Sequence, residues 1–341
     1  MATAGRIQTV LGPIAPESLG PTLMHEHVLC DVTAPALAAQ ARPEVEIRLD
    51  NVWQLNYEWG ADAPGFHRLS DEALSVAELG RLREAGGAAV VELTCAGIRP
   101  SPLGLQRVAA ASGVTIVMGT GWYVDSYLDD TVRGASVEAL ASGLIAALRT
   151  GTDGVRSGII GEIGCSDPWT ELERKTLRAA VIAQKETGAS VNVHPSRCFD
   201  TVLDMLGCVR RWGGDMARTI VSHVDRTVVR DQDLDRLADT GCVIEYDFFG
   251  IETSHYPFAP IDMPNDATRL DKVRRLIAAG HLGRIVLSQD ICTRGRLGGL
   301  GGHGYGHMFR NVVPLMRRKG FSQAEIDAIF VRTPRRLLTV P

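Results

Sequence analysis

The sequence predicts an α/β protein built as a (β/α)8 TIM barrel of parallel strands, with its active site at the C-terminal mouth. Short β-branched strands alternate with helices along most of the 341 residues, a pattern typical of βαβ units. Eight such strands favour a closed barrel over an open doubly wound sheet. No Gly-X-Gly-X-X-Gly motif follows the first strand, which argues against a dinucleotide fold.

The strands are predicted from short runs of apolar and β-branched residues. The first barrel strand contains His25, and a further short strand is expected ahead of it at 7–11. The other seven barrel strands are expected at 88–94, 114–119, 157–163, 189–194, 218–223, 242–247 and 284–290.

Helices are predicted where apolar residues recur at helical spacing. They are expected at 70–82, 103–112, 136–149, 170–187, 201–212, 231–240, 267–279 and 322–330. Segment 31–68 lacks this pattern, and a connection of such length inside a compact domain is usually functional or a lid. We expect one metal-dependent hydrolase domain over 1–341, with 31–68 as a long loop after strand one.

Composition excludes several classes of function. The chain is 45% hydrophobic and 22% charged, with a formal net charge of -4, and has no polybasic segment to attract nucleic acid or an anionic membrane. It has neither a signal-peptide pattern nor a run apolar enough for a membrane helix, which predicts a cytoplasmic protein. The seven cysteines lack Cys-X-X-Cys spacing, so reduced thiols are predicted.

Histidines and carboxylates stand near the ends of the predicted strands. His25 and His27 are two residues apart on strand one, so they share a face and Glu26 turns the other way. Each residue alone has a structural explanation, such as a core hydrogen bond, a buried ion pair or a loop cap. Because all strands end at one mouth, the following residues should nevertheless converge: His25, His27, Glu162, His194, His223 and Asp290.

Four imidazoles and two carboxylates match the nitrogen and oxygen ligands of a two-metal site. Two divalent cations, two carboxylates and a bridging hydroxide leave a small positive charge, which would favour a substrate oxygen or an anionic group. Zinc suits these ligands, and manganese or cobalt also fits.

These positions resemble the pattern of the phosphotriesterase family of the amidohydrolase superfamily. Its organophosphate-cleaving members bridge the metals with a carboxylated lysine, where this chain has Glu162. Closer similarity is to the phosphotriesterase-related proteins. It is carried by Gly-Glu-Ile-Gly-Cys-Ser at 161–166, Glu-Tyr-Asp-Phe-Phe-Gly at 245–250, Ile-Asp-Met-Pro-Asn at 261–265, Gly-Gly-His-Gly-Tyr at 301–305 and Asn-Val-Val-Pro at 311–314.

The resemblance implies a binuclear hydrolase that cleaves an amide in an N-acyl amino or sulfonic acid, as in the N-acyltaurine cleavage known for some members. A metal-bridging hydroxide would attack, and Asp290 would be the catalytic residue that moves its proton to the leaving group. His25, His27 and Asp290 would bind the buried metal. His194 and His223 would bind the exposed metal, and Glu162 would bridge the two. Two alternatives stay open: a phosphotriester, lactone or ester hydrolase, and a non-catalytic barrel that binds a small molecule.

The loops after the strands are expected to select the substrate. Arginine forks suit carboxylate, sulfonate or phosphate, although each arginine here can equally be a surface residue. The candidate substrate-binding residues are Tyr123, Arg197, Tyr246, Arg294, Arg296, His303 and Tyr305. The predicted partner is a small molecule with an anionic group among the options, and the resemblance adds a homodimer as a prediction.

Overall fold

Eight parallel strands pair side by side around a barrel, which confirms the predicted fold class. The computed structural model describes residues 5–40, 42–60 and 62–340. The strands are β1 (Thr22–Glu26), β2 (Ala89–Glu92), β3 (Thr115–Thr120), β4 (Ile159–Gly164), β5 (Val191–His194), β6 (Thr219–Val221), β7 (Val243–Tyr246) and β8 (Ile285–Leu287). The last strand returns to the first, since the amide of Asp290 donates to the carbonyl of His25 at 3.1 Å.

Helices cover the outside of the barrel and follow the strands in turn. Seven crossover helices span Glu72–Glu84, Pro102–Ser112, Val137–Arg149, Glu171–Thr187, Phe199–Arg211, Asp231–Asp239 and Asp266–Ala278, each close to its predicted position. The clearest predicted helix, Glu171–Thr187, starts with a capping box in which Thr170 and Glu173 exchange hydrogen bonds. Shorter helices are Pro35–Ala38, Val52–Tyr57, Asp130–Gly134 and Val224–Thr227.

The helix that follows β8 was not predicted. It consists of a π-helical segment, Met308–Val312, that continues as Val313–Arg318. Pro314 interrupts the helical pattern in the sequence, yet it lies in the first turn of the second segment, where a proline is tolerated. The predicted helix at 322–330 is longer than expected and runs as Gln323–Asp327, Ala328–Arg332 and Thr333–Leu338.

Segments near both termini cover the bottom of the barrel. The strand predicted at 7–11 is an antiparallel pair outside the barrel, Ile7–Thr9 with Gly12–Ile14. Ile7 and the C-terminal Leu337 and Leu338 are buried in one apolar cluster with inward residues of the strands, such as Met24. Because apolar side chains fill this end, polar chemistry is confined to the opposite mouth.

Segment 31–68 folds over that mouth. Its ends are joined by antiparallel pairing of Cys30–Asp31 with Arg68–Leu69. Trp59 is 9% exposed and packs in an apolar cluster with Phe248 and Tyr256 from the loop after β7. In the part of the chain that the structure describes, no helix is long and apolar enough to cross a membrane.

Candidate metal centre

The predicted ligands converge at the C-terminal end of the strands. The rings of His25 and His27 lie 5.5 Å apart, and that of His223 lies 4.8 Å from His25 and 4.5 Å from His194. Glu162 and Asp290 reach the same point from β4 and from the loop after β8. The donor atoms form three sets that could each hold an ion. Two consist of predicted ligands, a first set of His25, His27 and Asp290 and a second set of Glu162, His194 and His223, and a further set combines His25 and His223 with Asp247.

Two strand irregularities aim these side chains. Between Leu23 and Glu26, β1 has one residue more than the facing stretch of β2, and between Ile160 and Ile163, β4 has one more than β5. Such a bulge bends a strand and redirects its side chains. One falls at His25 and the other at Glu162, so both enter the mouth.

Two predicted ligands just beyond strand ends have a left-handed backbone. His223 has φ 51° and Asp290 has φ 48°, a region that non-glycine residues rarely adopt. The His223 amide donates to Asp247 at 3.0 Å, and the Asp290 carbonyl accepts from Arg296 at 3.1 Å. These contacts hold a strained conformation in place, as is common at functional sites.

The donor spacing in the first set suits one ion. Oδ1 of Asp290 lies 3.2 Å from Nε2 of His27 and 3.7 Å from Nε2 of His25. Ligands about 2.0–2.2 Å from a tetrahedral zinc ion are about 3.3–3.6 Å from each other. Nε2 of His25 is also buried without a hydrogen-bond partner, which a bound cation would satisfy.

Glu162 connects the first set to the second. Its Oε1 is 3.8 Å from Nε2 of His27, while its Oε2 is 2.9 Å from Nδ1 of His194 and 3.6 Å from Nε2 of His223. The two oxygens of one carboxylate therefore face both donor sets, which is the geometry of a bridge.

The members of the cluster shift one another's pKa values. Burial would lower the pKa of His25, His27 and His223, but the neighbouring carboxylates outweigh it and raise the pKa of each ring. Burial would raise the pKa of Glu162, but the adjoining imidazoles of His194 and His223 hold it well below its usual value. For Asp290, burial is likewise outweighed by His27 and the charge of His25, which lower its pKa. Burial lowers the pKa of His194 to about 3, so its ring is neutral and able to ligate.

A second layer of buried carboxylates orients the imidazoles, and the sequence analysis assigned none of them a role. Oδ1 of Asp247 accepts from Nδ1 of His223 at 2.9 Å, and its Oδ2 lies 3.2 Å from Nδ1 of His25. Nδ1 of His27 lies 2.9 Å from the hydroxyl of Thr94, which donates to Glu92. Such partners fix which ring nitrogen faces an ion.

Glu26 and Glu245 complete this layer. Glu26 does turn away from the imidazoles, and it accepts from the Ser288 hydroxyl at 2.8 Å and from the Ile291 amide at 3.0 Å. Glu245 accepts from Asn192 at 2.7 Å. The signal was present in the sequence, because a carboxylate inside an apolar strand is costly and needs a partner, the argument already applied to Glu162.

Two of the candidate substrate residues lie at the mouth. The ring of Tyr123 meets the ring of His194 edge-on at 5.0 Å. Arg197 is exposed at the rim, and its Nε donates to the Tyr256 hydroxyl at 2.9 Å. Both therefore stay in positions from which they can touch a substrate.

The other candidates lie elsewhere or act as supports. Tyr246 points outward from β7 into the core between strands and helices. Tyr305 donates to the backbone carbonyl of His27 at 2.5 Å, and Arg294 lies 3.6 Å from Glu44 of the long loop. Arg296 is 6% exposed and supports the backbone of Asp290.

His303 lies beside a separate cavity of about 310 Å³ between the long loop and the loops after β7 and β8. Its ring also borders His307 at 5.4 Å. Burial lowers the pKa of His303 well below the usual value, so the ring is neutral. The structure does not bring it into the histidine cluster.

The mouth contains two residues that the sequence analysis missed. Phe248 stacks on the ring of His223 at 5.1 Å. Arg226 is 2% exposed, and its Nη2 lies 3.1 Å from Nε2 of His194. Burial, reinforced by the like charge of Arg197, lowers the pKa of Arg226. Neither position could be read from a strand-end rule, because Phe248 lies in a loop and Arg226 in a short helix beyond the strand, and the path of both depends on tertiary packing.

A parallel barrel with four imidazoles and two carboxylates gathered at its mouth defines a metal-dependent hydrolase. The profile of the phosphotriesterase family matches residues 5–338, so the chain belongs to that family.

Named relatives support the same placement. An N-acetyltaurine hydrolase from Bos taurus is 38% identical over 348 residues, covering 98% of both chains. A phosphotriesterase-related protein from Nematostella vectensis is 36% identical over 348 residues, covering 99% of both chains. The crystal structure of a resiniferatoxin-binding protein from Rhodobacter sphaeroides has a TM-score of 0.90 at 32% identity, covering 98% of this chain and 95% of that one.

Proposed function

We propose that this hydrolase holds two divalent metal ions, zinc by preference, and cleaves the amide bond of an N-acyl amino or sulfonic acid such as N-acetyltaurine. The observation that carries the two-ion site is the position of Glu162, whose Oε1 faces His27 and whose Oε2 faces His194 and His223. Support for the substrate comes from the relatives named N-acetyltaurine hydrolase, which align over nearly the whole chain. A cytoplasmic location and a homodimer stay predictions.

The chemistry divides between the ions and the side chains. When bound, the ions would supply an activated water and polarise the scissile carbonyl. Asp290 is ionised and 8% exposed, so it can take a proton from the attacking water and deliver it to the leaving nitrogen. Phe248 and Trp59 form an apolar wall on this side of the mouth that limits access of bulk water.

The role of Asp290 gives a first prediction. Asp290→Asn should lower kcat by about 10²–10⁴-fold, the range for loss of a general acid or base. Metal content measured by mass spectrometry should remain close to wild type, since the amide oxygen can still ligate. Full turnover with both metals bound would refute the assignment.

A substrate panel tests the function itself. Zinc-loaded and manganese-loaded enzyme would be assayed side by side on N-acetyltaurine, an N-acyl amino acid, a lactone and a paraoxon-like phosphotriester. We expect the N-acyl acids to have the highest kcat/KM. Faster cleavage of the lactone or phosphotriester would favour that alternative. Less than one bound metal per chain, together with no hydrolysis when metals are added, would favour a barrel that only binds a ligand.

A further inference from the structure

A buried arginine beside the histidine cluster has no acidic partner in the part of the chain that the structure describes. Arg226 lies in the short helix Val224–Thr227 that directly follows His223. Its Nη2 donates to the Pro195 carbonyl at 3.1 Å, and its Nη1 donates to the Thr227 hydroxyl at 3.2 Å. It is 2% exposed, so its charge is largely removed from water.

Of the other two buried arginines in the described residues, Arg296 packs on the ring of Trp59 without an ion pair, whereas carboxylates neutralise Arg269. Arg269 is fully buried and pairs with both Asp225 and Asp266. Among the ion pairs of residues 5–40, 42–60 and 62–340, none involves Arg226 or the neighbouring Arg197. Burying a charge without a counter-charge is energetically unfavourable. A buried guanidinium without a carboxylate partner at a reaction site is therefore expected to bind an anionic ligand.

Metal binding would free one of the Arg226 donors. Arginine has no acceptor, so Nε2 of His194 must accept from Nη2 in the present arrangement. If Nδ1 of His194 binds an ion, the ring proton moves to Nε2, which then cannot accept. The hydrogen of Nη2 that now contacts Nε2 of His194 would then need another acceptor.

A second guanidinium stands at the rim near this point. Arg197 is exposed, its Nε donates to the Tyr256 hydroxyl, and its guanidinium lies 5.2 Å from the ring of Phe258. The aromatic contacts hold the group in position while leaving donors free. Paired guanidinium groups bind the flat or tetrahedral oxygen arrays of carboxylate and sulfonate well.

We propose that Arg226, assisted by Arg197, binds the acid group of the substrate, a sulfonate or carboxylate two carbons from the amide nitrogen. The inference rests on the proposed amidase function. In such a molecule the acid lies about 5 Å from the scissile carbonyl by standard bond lengths. That reach matches a carbonyl held on the Nδ1 side of His194 and an acid held on its Nε2 side.

The kinetic test compares a charged and a neutral substrate with the same acyl group. The ratio of kcat/KM for N-acetyltaurine to that for N-ethylacetamide would be measured for wild type, Arg226→Met, Arg226→Lys and Arg197→Met. We expect the ratio to fall by about 10–100-fold in Arg226→Met, mainly through KM, and by less in the other two. An unchanged ratio in all three variants would overturn the proposal.

The matched control is another arginine that donates to backbone carbonyls, at the opposite end of the barrel. Arg218 donates to Leu337 at 2.9 Å and to Thr339 at 2.7 Å. Arg218→Met should lower thermal stability and leave the substrate ratio at its wild-type value. If it lowers the ratio as much as Arg226→Met does, the effect is general loss of structure and the subsite is refuted.

A binding measurement separates failure of the subsite from failure of the function. Ethanesulfonate and its neutral analogue ethyl methyl sulfone would be titrated into zinc-loaded protein by calorimetry. Preference for ethanesulfonate that Arg226→Lys and Arg197→Met reduce supports the subsite, even if wild type cleaves no amide and the proposed function fails. Equal binding of both probes by wild type overturns the subsite, whatever the enzyme cleaves. Arg197 is exposed, so its variant decides the matter should Arg226→Met not fold.

Discussion

The side chain of a single residue, Asp247, fixes the orientation of two imidazole rings. Its carboxylate faces Nδ1 of both His223 and His25. Each ring must then carry its proton on Nδ1, which leaves Nε2 available to an ion. His25 belongs to the first set of predicted ligands and His223 to the second, so one carboxylate orients a ligand in each.

We expect Asp247→Asn to weaken zinc binding by about 10–100-fold. Asparagine has one acceptor oxygen, so one of the two imidazoles loses its acceptor and can adopt the other tautomer. Competition with a chromophoric chelator would measure the affinity. Asp231→Asn, at a half-exposed aspartate paired with Lys272, is the control, and wild-type affinity in Asp247→Asn would contradict the expected role.

The six proposed ligands could be predicted because metal-binding chemistry stands out at strand ends. Asp247 was missed although it directly follows β7, since a lone carboxylate there can also cap a loop. Arg226 could not be found, because the chain reverses direction at His223 through a left-handed residue that no sequence pattern requires. The role of a residue can thus be predicted at the repeating strand ends of the fold, but not in connections whose conformation depends on tertiary packing.

Within elements, strand position was predictable and side-chain direction only in part. β4 was expected at 157–163 and lies at Ile159–Gly164. β7 alternates regularly, with Val243 and Glu245 inside the barrel and Ile244 and Tyr246 outside. Period-two alternation would have placed Tyr246 in the outer layer, whereas the bulges follow from tertiary pairing and are not encoded by alternation.

The bulge in β4 depends on Gly161. Its φ is 137°, and a Cβ there would lie 2.7 Å from the Asn192 carbonyl oxygen. Gly161→Ala should therefore lower the free energy of unfolding by about 1–3 kcal/mol and reduce zinc content by displacing Glu162. Gly143→Ala, in an exposed helix position with open space, should be neutral or stabilising. Thermal melting of both variants and metal analysis check this, and wild-type behaviour in Gly161→Ala would be inconsistent with the strain.

The loop after β7 and the helix after β8 are joined by an ion pair. Asp266 accepts from His307 at 2.7 Å and from Arg269 at 2.8 Å. Burial would raise the pKa of Asp266, but these partners lower it below the ordinary 3.8. A depressed folded-state pKa adds stability that is present above the unfolded pKa and lost as pH falls through the folded one.

Asp266→Asn should therefore cost about 1–3 kcal/mol at neutral pH. The difference in melting temperature from wild type should stay constant from pH 7 to about 5 and shrink only as the pH falls below 3.8. Melting curves at several pH values, with Asp231→Asn as the exposed control, would show this. A difference in melting temperature that grows as the pH falls would contradict this prediction.

Across the whole molecule, negative charge is concentrated at one end of the barrel interior. Six carboxylates around the cluster are at most 8% exposed: Glu26, Glu92, Glu162, Glu245, Asp247 and Asp290. Within the described ranges, their ion pairs involve imidazoles and no lysine or arginine. Burial raises the pKa of Glu26 to about 8, so this group is neutral at pH 7, but the neighbouring imidazoles lower the pKa of Glu162, Asp247 and Asp290. Burying these charges is unfavourable unless cations compensate them.

Bound ions should therefore stabilise the folded chain as well as enable chemistry. A ligand that binds only the folded state adds about 2.7 kcal/mol at a free concentration of 100 times its Kd. We expect chelation to lower the melting temperature by several degrees, because a chain of this size shifts by about 2–4 °C or less per kcal/mol. Zinc should restore it. Glu162→Gln, which removes the charge of the bridging carboxylate, should show a smaller zinc-dependent shift than wild type. A melting temperature that responds to neither chelator nor zinc would mean that the carboxylates are neutralised by protons, and the two-ion site would lose its electrostatic basis.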